Sequence, residues 1–352
     1  MSALPSSPQN AKSSKEAQLA IFRRSWVAPT PQSAQPQTIH LPDRKLTLSH
    51  SAPSKIIWAI GGGKGGIGKT LLTSNLAVFL SWLNKKVIVV DLDLGGANLH
   101  TSLGVTSSPH TVSDLLYKNI EDPNILVQPT QYKNVSLISG SNDPVNVTNM
   151  PPIQRSRLVR KIRELDADFI LLDLGAGTSI NTLEFFLLAD QKIVVVTPEP
   201  TSIENAYRFM KTAFYRLMRN ATATPYIRQL IEQTMEDKII KGISSPKELI
   251  HEIARISPSE GEQLKNTMDE LSMSLVVNQV RARAEADIGK SIQIVSERYF
   301  GARINYAGFL PYDNSVWQSI RKRVPFLIDS PNSMAVTHLE ETVRNLLKRT
   351  KP

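Results

Sequence analysis

The stretch from Lys55 to Leu83, KIIWAIGGGKGGIGKTLLTSNLAVFLSWL, leaves few options for the chain that contains it. A β-branched apolar run (Ile56, Ile57, Ile60) is cut off by three glycines, and a helical pattern of Leu72, Leu76, Phe79, Leu80 and Leu83 resumes after Lys69 and Thr70. Strand, glycine loop and helix in that order are the setting of a phosphate-binding loop, and Gly63, Gly68, Lys69 and Thr70 satisfy its G-x-x-x-x-G-K-[ST] spacing. With no Cβ in the way at the glycines, the backbone N–H groups of Gly63, Lys64, Gly65, Gly66, Ile67 and Gly68 can turn inward around a phosphate, and the helix N-terminus adds partial positive charge. Lys69 is placed to reach the β- and γ-phosphates of ATP, and the Thr70 hydroxyl to bind Mg²⁺.

Two further strands aim their ends at the same place. Val87 to Val90 is a continuous apolar run leading to Asp91 and Asp93, and Phe169 to Leu172 leads to Asp173. Buried parallel strands read this way, and in open α/β sheets functional residues gather beyond the strands' carboxyl ends. Carboxylates there face the nucleotide. A hard cation beside phosphates prefers carboxylate and water oxygens, which makes Asp173 the candidate for water-mediated Mg²⁺ binding. Asp91 also fits a capping role; Asp93, with two glycines close behind, fits one less well. More strands are expected at Val135 to Ser139, Lys192 to Thr197, up to Val277, and Ile304 to Leu310, with helices between. The expected fold is α/β, a mainly parallel sheet with helices on both faces.

A second lysine makes the loop more specific. Lys64 gives KGGIGKT from Lys64 to Thr70, which resembles the deviant Walker A loop of the MinD, ParA, Mrp and FlhG ATPases. The resemblance covers about Lys55 to Ile328 and implies a P-loop NTPase fold of the MinD/ParA kind. It implies that Lys64 reaches across a nucleotide-sandwich homodimer to the partner's phosphates. D-x-D-x-G-G-x-N resembles the family's switch I, which makes Asp93 the residue that orients the attacking water and Asn98 the switch I asparagine. DFILLDLGAGTS resembles Walker B and switch II, with Leu174 and Gly175 departing from the usual D-S/T-P/A-A-G. Asn278 corresponds to the adenine-contacting asparagine, and Pro311 and Asp313 in FLPYDNSV to the loop that closes over the base. The words TPEP and SI-x-x-AY-x-x-[ML]-K look most like the FlhG branch. Relatives are shorter after the helix that follows, so about 221–266 reads as a helical insertion, either a partner-binding lid or decoration.

The chain has no cysteine, which excludes disulfides and thiolate metal sites, disfavours an Mrp-like cluster carrier, and fits a reducing cytosol. No signal-peptide order opens it and no run is long and apolar enough to span a bilayer. Residues 1–54, rich in Ser, Pro, Gln and Ala, read as a disordered tail. Within it Leu19, Phe22 and Trp26 share a helical face, as a peptide that folds on a partner or packs on its own domain. The net charge of +9 admits nucleic acid, an anionic membrane surface or a solvated basic face. The basic side of the helix expected from Ile153 to Leu165, with Arg155 and Arg157, reads as solvated, and Ile153, Leu158, Ile162 and Leu165 as its apolar stripe. The last helix, about 332–350, has an apolar stripe of Val336, Leu339, Val343, Leu346 and Leu347; core packing is favoured over membrane targeting because no Phe or Trp anchors it.

The expected function is an ATP-dependent dimerising switch ATPase of the MinD/FlhG type. It would be cytoplasmic or peripheral on the inner face of the membrane, and would control the placement or number of a polar machine such as the flagellum. Its expected partners are a second copy of itself, a protein activator or cargo such as a flagellar GTPase or polar factor, and an anionic membrane surface. The alternative is a ParA-like cargo-positioning ATPase that binds DNA, with binding that falls steeply with salt.

Overall fold

The computed structural model describes residues 55–348, apart from Leu94, Ser107, Asn119, 141–149, 236–242, Ser244 and Ser272. The N-terminal tail with its 15–27 peptide, most of the loop before Pro152, and the last four residues lie outside the described residues.

The strands are β1 (Ile56–Gly61), β2 (Val87–Leu92), β3 (Gln128–Pro129), β4 (Val135–Ile138), β5 (Phe169–Leu174), β6 (Gln191–Val196), β7 (Met273–Val280) and β8 (Ile304–Pro311). The helices are α1 (Lys69–Trp82), α2 (Leu99–Ser102), α3 (Val112–Tyr117), α4 (Pro152–Glu164), α5 (Ile180–Leu188), α6 (Pro200–Ala221) and α7 (Pro225–Met235). They continue as α8 (Pro246–Ile256), α9 (Pro258–Glu270), α10 (Arg283–Ala286), α11 (Ile288–Phe300), α12 (Asn314–Lys322), α13 (Phe326–Asp329) and α14 (Met334–Leu347). One sheet runs in the order β3-β4-β2-β5-β1-β6-β7-β8, parallel throughout except where β3 meets β4.

Every residue of β2, β5 and β6 is buried, as strands covered on both faces must be. The parallel register brings all carboxyl ends to one edge and sets Asp91 of β2 directly beside Asp173 of β5. β1 lies between β5 and β6, so the loop after Gly61 emerges at the middle of that edge. Trp58 on β1 is fully buried edge-on against Phe169, and Phe186 meets Phe209 in the same way. Each such side chain contributes roughly 1.5–3 kcal/mol by its burial. The phosphate loop thus stands on a stiff base.

α6, α7, α8 and α9 all begin with proline, whose fixed φ and missing N–H suit the first helical position. The proline at 225 opens α7 near the start of the region expected as an insertion. The region expected as an insertion holds α7, α8 and most of α9, and its buried Ile227, Leu230, Leu249, Ile253 and Leu264 join the main core. α8 and α9 approach so closely that a Cβ on Gly261 would fall 2.4 Å from Ala254 Cα.

Two expectations are corrected in α4. Ile153 is 85% exposed rather than part of the stripe, because the buried face of the helix runs through Arg155, Leu158 and Ile162. Arg155 is buried, and its Nη1 donates to Asn181 Oδ1 at 3.4 Å, so it belongs to the inner face beside Leu158 and Ile162. The last helix does pack on the core. Val336, Leu339, Val343 and Leu346 are buried, and Asn345 Nδ2 donates to Ala307 O of β8 at 2.9 Å.

Candidate nucleotide site

The loop from Gly62 to Gly68 is shaped by contacts that exclude side chains. Gly68 has φ +92, and a Cβ there would lie 2.1 Å from Asn278 Nδ2. At Gly63 a Cβ would lie 2.1 Å from Asn205 O on α6, so the loop presses on that helix. Gly65 and Gly66 have open space on their Cβ side. Lys69, the first residue of α1, is buried, and its Nζ donates to Lys64 O at 3.4 Å. Burial pushes the Lys69 ammonium below its usual range, while Asp173 and Asp93 pull it back up. A cation held inside a closed turn of N–H donors is suited to phosphate oxygens.

Asp173 and Asp93 act on this lysine, and Asp91 lies beside Asp173. Asp173 is completely buried, and Thr73 Oγ1 donates to its Oδ1 at 3.1 Å. Its Oδ2 is buried without a hydrogen-bond partner among the described residues. Desolvation pushes its carboxyl up to about 6 against the pull of the Thr70 hydroxyl, Lys69 and Thr73. An unpartnered buried carboxylate oxygen beside the Thr70 hydroxyl fits Mg²⁺ held through water, because the ion and its water would satisfy the orphaned acceptor.

Asp91 is buried too, and accepts from Asp93 N at 3.1 Å and Leu99 N at 3.0 Å. Burial and the neighbouring Asp173 push its carboxyl up to about 8. Asp91 therefore clamps the turn that leads into α2, the capping role that the sequence left open. Asp93 is half-buried and abuts switch II, where a Cβ at Gly175 would fall 3.0 Å from its Oδ1. That contact accounts for the glycine at 175, where a side chain would crowd Asp93; it does not bear on Leu174. Asn98 Nδ2 donates to Gly96 O at 2.6 Å, within its own loop.

On the far side of the loop a cavity of about 200 Å³ lies between Gly68, Leu71, Asn278, Pro311, Asp313 and Trp317. Its walls are mainly apolar, as a nucleobase requires. Asn278 lies inside β7 rather than after it, and its Nδ2 donates to Ile67 O at 2.8 Å. Asp313 caps α12 by accepting from Ser315 N at 2.8 Å. Pro311 ends β8 at the cavity's edge.

Lys64 turns away from the cradle. Its Nζ donates to Glu199 Oε2 at 2.7 Å and Thr201 Oγ1 at 3.1 Å, at the start of α6. Gly63, Gly65, Gly66, Ile67, Gly68, Lys69, Thr70, Asp93, Asp173 and Asn278 are thus brought together, with Pro311 and Asp313 lining the adjoining cavity. Thr73, Glu199, Thr201 and Gln279 escaped the sequence reading. Thr73 could have been found, since it stands one helical turn after Lys69 on the face that meets Asp173.

A profile of the family described as an AAA domain matches residues 54–224. The antiactivator FleN of Pseudomonas aeruginosa is 26% identical over 286 residues, 80% of this chain and 82% of FleN. A putative septum site-determining protein MinD of Nephroselmis olivacea is 30% identical over 194 residues, 53% of this chain and 70% of that protein. Among solved structures, the septum site-determining protein MinD complexed with Mg-ADP from Pyrococcus horikoshii OT3 matches in fold. Its TM-score is 0.57 at 20% identity, over 83% of this chain and 96% of that one.

Proposed function

The chain belongs to the MinD/ParA family and is an ATPase, and we propose that it works as an ATP-dependent dimerising switch of the FlhG type. The position of Lys64 carries this proposal. Lys69 alone supplies the charge inside the cradle, whereas Lys64 sits at its rim with a 37% exposed side chain, held by the largely exposed Glu199. An ion pair so exposed is worth about 0.2–1 kcal/mol, little enough to be exchanged for a stronger site across a dimer.

In the proposed cycle the loop's N–H groups and Lys69 bind the phosphates of ATP, and Thr70 and Asp173 hold Mg²⁺. The ion, when bound, neutralises charge on the β- and γ-phosphate oxygens. Asp93 orients the attacking water, and Lys64 of a second copy meets the γ-phosphate. Trans cationic groups of this kind are worth about 10³–10⁵ in rate. The output is control of a polar machine such as the flagellum through a protein partner, in line with the antiactivator name of FleN. A protein partner is favoured over direct lipid contact because the apolar stripe of α14 is already buried. Among the described residues no helix is long and apolar enough to cross a membrane.

The specific rate of ATP hydrolysis should rise with protein concentration in the wild type and stay flat in Lys64→Ala. A wild-type rate independent of concentration over the range where copies associate contradicts the dimer-driven cycle. A second reading, ParA-like DNA binding, draws on the net charge of +9 and on exposed Arg281, Arg283 and Arg321, which make no ion pair among the described residues. It requires DNA retardation that falls steeply as salt rises.

A further inference from the structure

We propose that Thr73 is a positioning residue for the cation: its hydroxyl fixes the Asp173 carboxylate so that one oxygen stays free to take up a water of Mg²⁺. Its role deepens the reading of Thr70 and Asp173 as the cation site and rests on it. Thr73 is fully buried at the start of the second turn of α1, and its Oγ1 donates to Asp173 Oδ1 at 3.1 Å. The other oxygen, Oδ2, is buried with no hydrogen-bond partner among the described residues. One end of the carboxylate is tied and the other is left open.

The place of Asp173 in the sheet is the reason it needs such a hold. In register it stands between Ile60 of β1 and Asp91 of β2. Ile60 offers no side-chain donor, and Asp91 brings a second carboxyl group. A carboxyl group turns easily about its last bond, because that torsion is broad and two-fold. The hydroxyls that steady it come from α1: Thr73, and Thr70 three residues before it on the same side of the helix. Thr70 has its oxygen to give to the ion, which leaves Thr73 to keep the carboxylate in place.

The Thr73 hydroxyl has one proton and two acceptors in range, since Lys69 O lies 3.0 Å away. In the helix repeat Lys69 O already receives the main-chain N–H of Thr73, so the proton can go to the ionised acceptor, where such a bond is stronger. A valine at 73 would keep the shape of the side chain and lose the donor. Groups that stand behind a metal's ligands and fix their orientation change metal affinity by about 10- to 100-fold when removed.

The test titrates Mg²⁺ into the full chain saturated with ADP, by calorimetry, beside an ADP titration without the cation. Thr73→Val should raise the Mg²⁺ concentration for half-saturation about 10- to 100-fold and leave ADP affinity without Mg²⁺ unchanged. Thr73→Ser, which restores the hydroxyl, should return the Mg²⁺ dependence to near wild type. Thr73→Ala, which needs less room than valine, is read in the same way should the valine variant fail to fold. Wild-type Mg²⁺ dependence in a folded Thr73→Val or Thr73→Ala overturns the inference. Equal loss of ADP affinity with and without the cation overturns it too, because Thr73 would then be a packing residue of the loop. So does a Thr73→Ser chain as defective as Thr73→Val. A wild-type chain whose ADP affinity ignores Mg²⁺ fails the cation-site reading itself, and the inference with it.

Discussion

Replacing Gly68 by alanine tests how tightly the loop is determined. The backbone at 68 has φ +92, which a residue with a Cβ adopts at a cost of roughly 1–2 kcal/mol. The new Cβ would also fall 2.1 Å from Asn278 Nδ2, where real atoms cannot sit, so the amide must leave Ile67 O. Leaving a buried hydrogen bond unmade costs about 1–3 kcal/mol. Together the two effects come to about 2–5 kcal/mol, and at 1.4 kcal/mol per decade this weakens ATP binding roughly 30-fold to several-thousand-fold. The damage is local to the loop and the end of β7, so the fold should persist. Calorimetric titration with Mg²⁺-ATP beside a thermal melt measures both quantities. Wild-type affinity in Gly68→Ala would refute the reasoning, because it would mean the loop can bind phosphate in another shape or without its β7 support.

The acidic cluster provides the remaining tests. Asp93→Ala should bind ATP yet hydrolyse it at least a hundred times more slowly, on the order expected for loss of a water-orienting group, and accumulate as dimer; normal turnover would remove Asp93 from the mechanism. Asp173→Ala should instead flatten the Mg²⁺ dependence of ATP binding, and an unchanged dependence would place the cation elsewhere. The cluster also makes stability depend on pH. Asp91 and Asp173 are raised to about 8 and about 6, so the folded chain holds protons that the unfolded chain has released. Their stabilising contribution is complete below the ordinary carboxylate range and is lost as pH rises through about 6 and then about 8. The ligand-free melting temperature should therefore fall across that window, and Mg²⁺ with nucleotide should narrow the drop. A melting temperature that climbs through the same window without cation would mean both carboxylates are already ionised.

The legible parts of the fold were those written in local pattern. The glycine loop and the apolar strands with aspartates at their ends each act within a few residues, so residue type alone locates them. What the sequence hid depends on chain segments far apart. Ile153 fits a stripe by spacing but is exposed, while Arg155 goes inside, where it meets Asn181 26 positions later. Glu199 meets Lys64 across 135 positions, and Asn278 meets Ile67 across 211. Asn278 was visible as a site residue through resemblance, yet its attachment to the loop needed the sheet to be assembled. The glycine at 175 reads as a departure from pattern until Asp93 is set against it.

The central claim is that Lys64 works across a dimer, and light scattering of the wild type and Lys64→Ala with a nonhydrolysable ATP analogue tests it most directly. The wild type should double in mass with the analogue and return to monomer with ADP. Lys64→Ala should bind the analogue and remain monomeric. A mutant that doubles in mass like the wild type would leave Lys64 a surface lysine paired with Glu199, and the dimer would need another explanation.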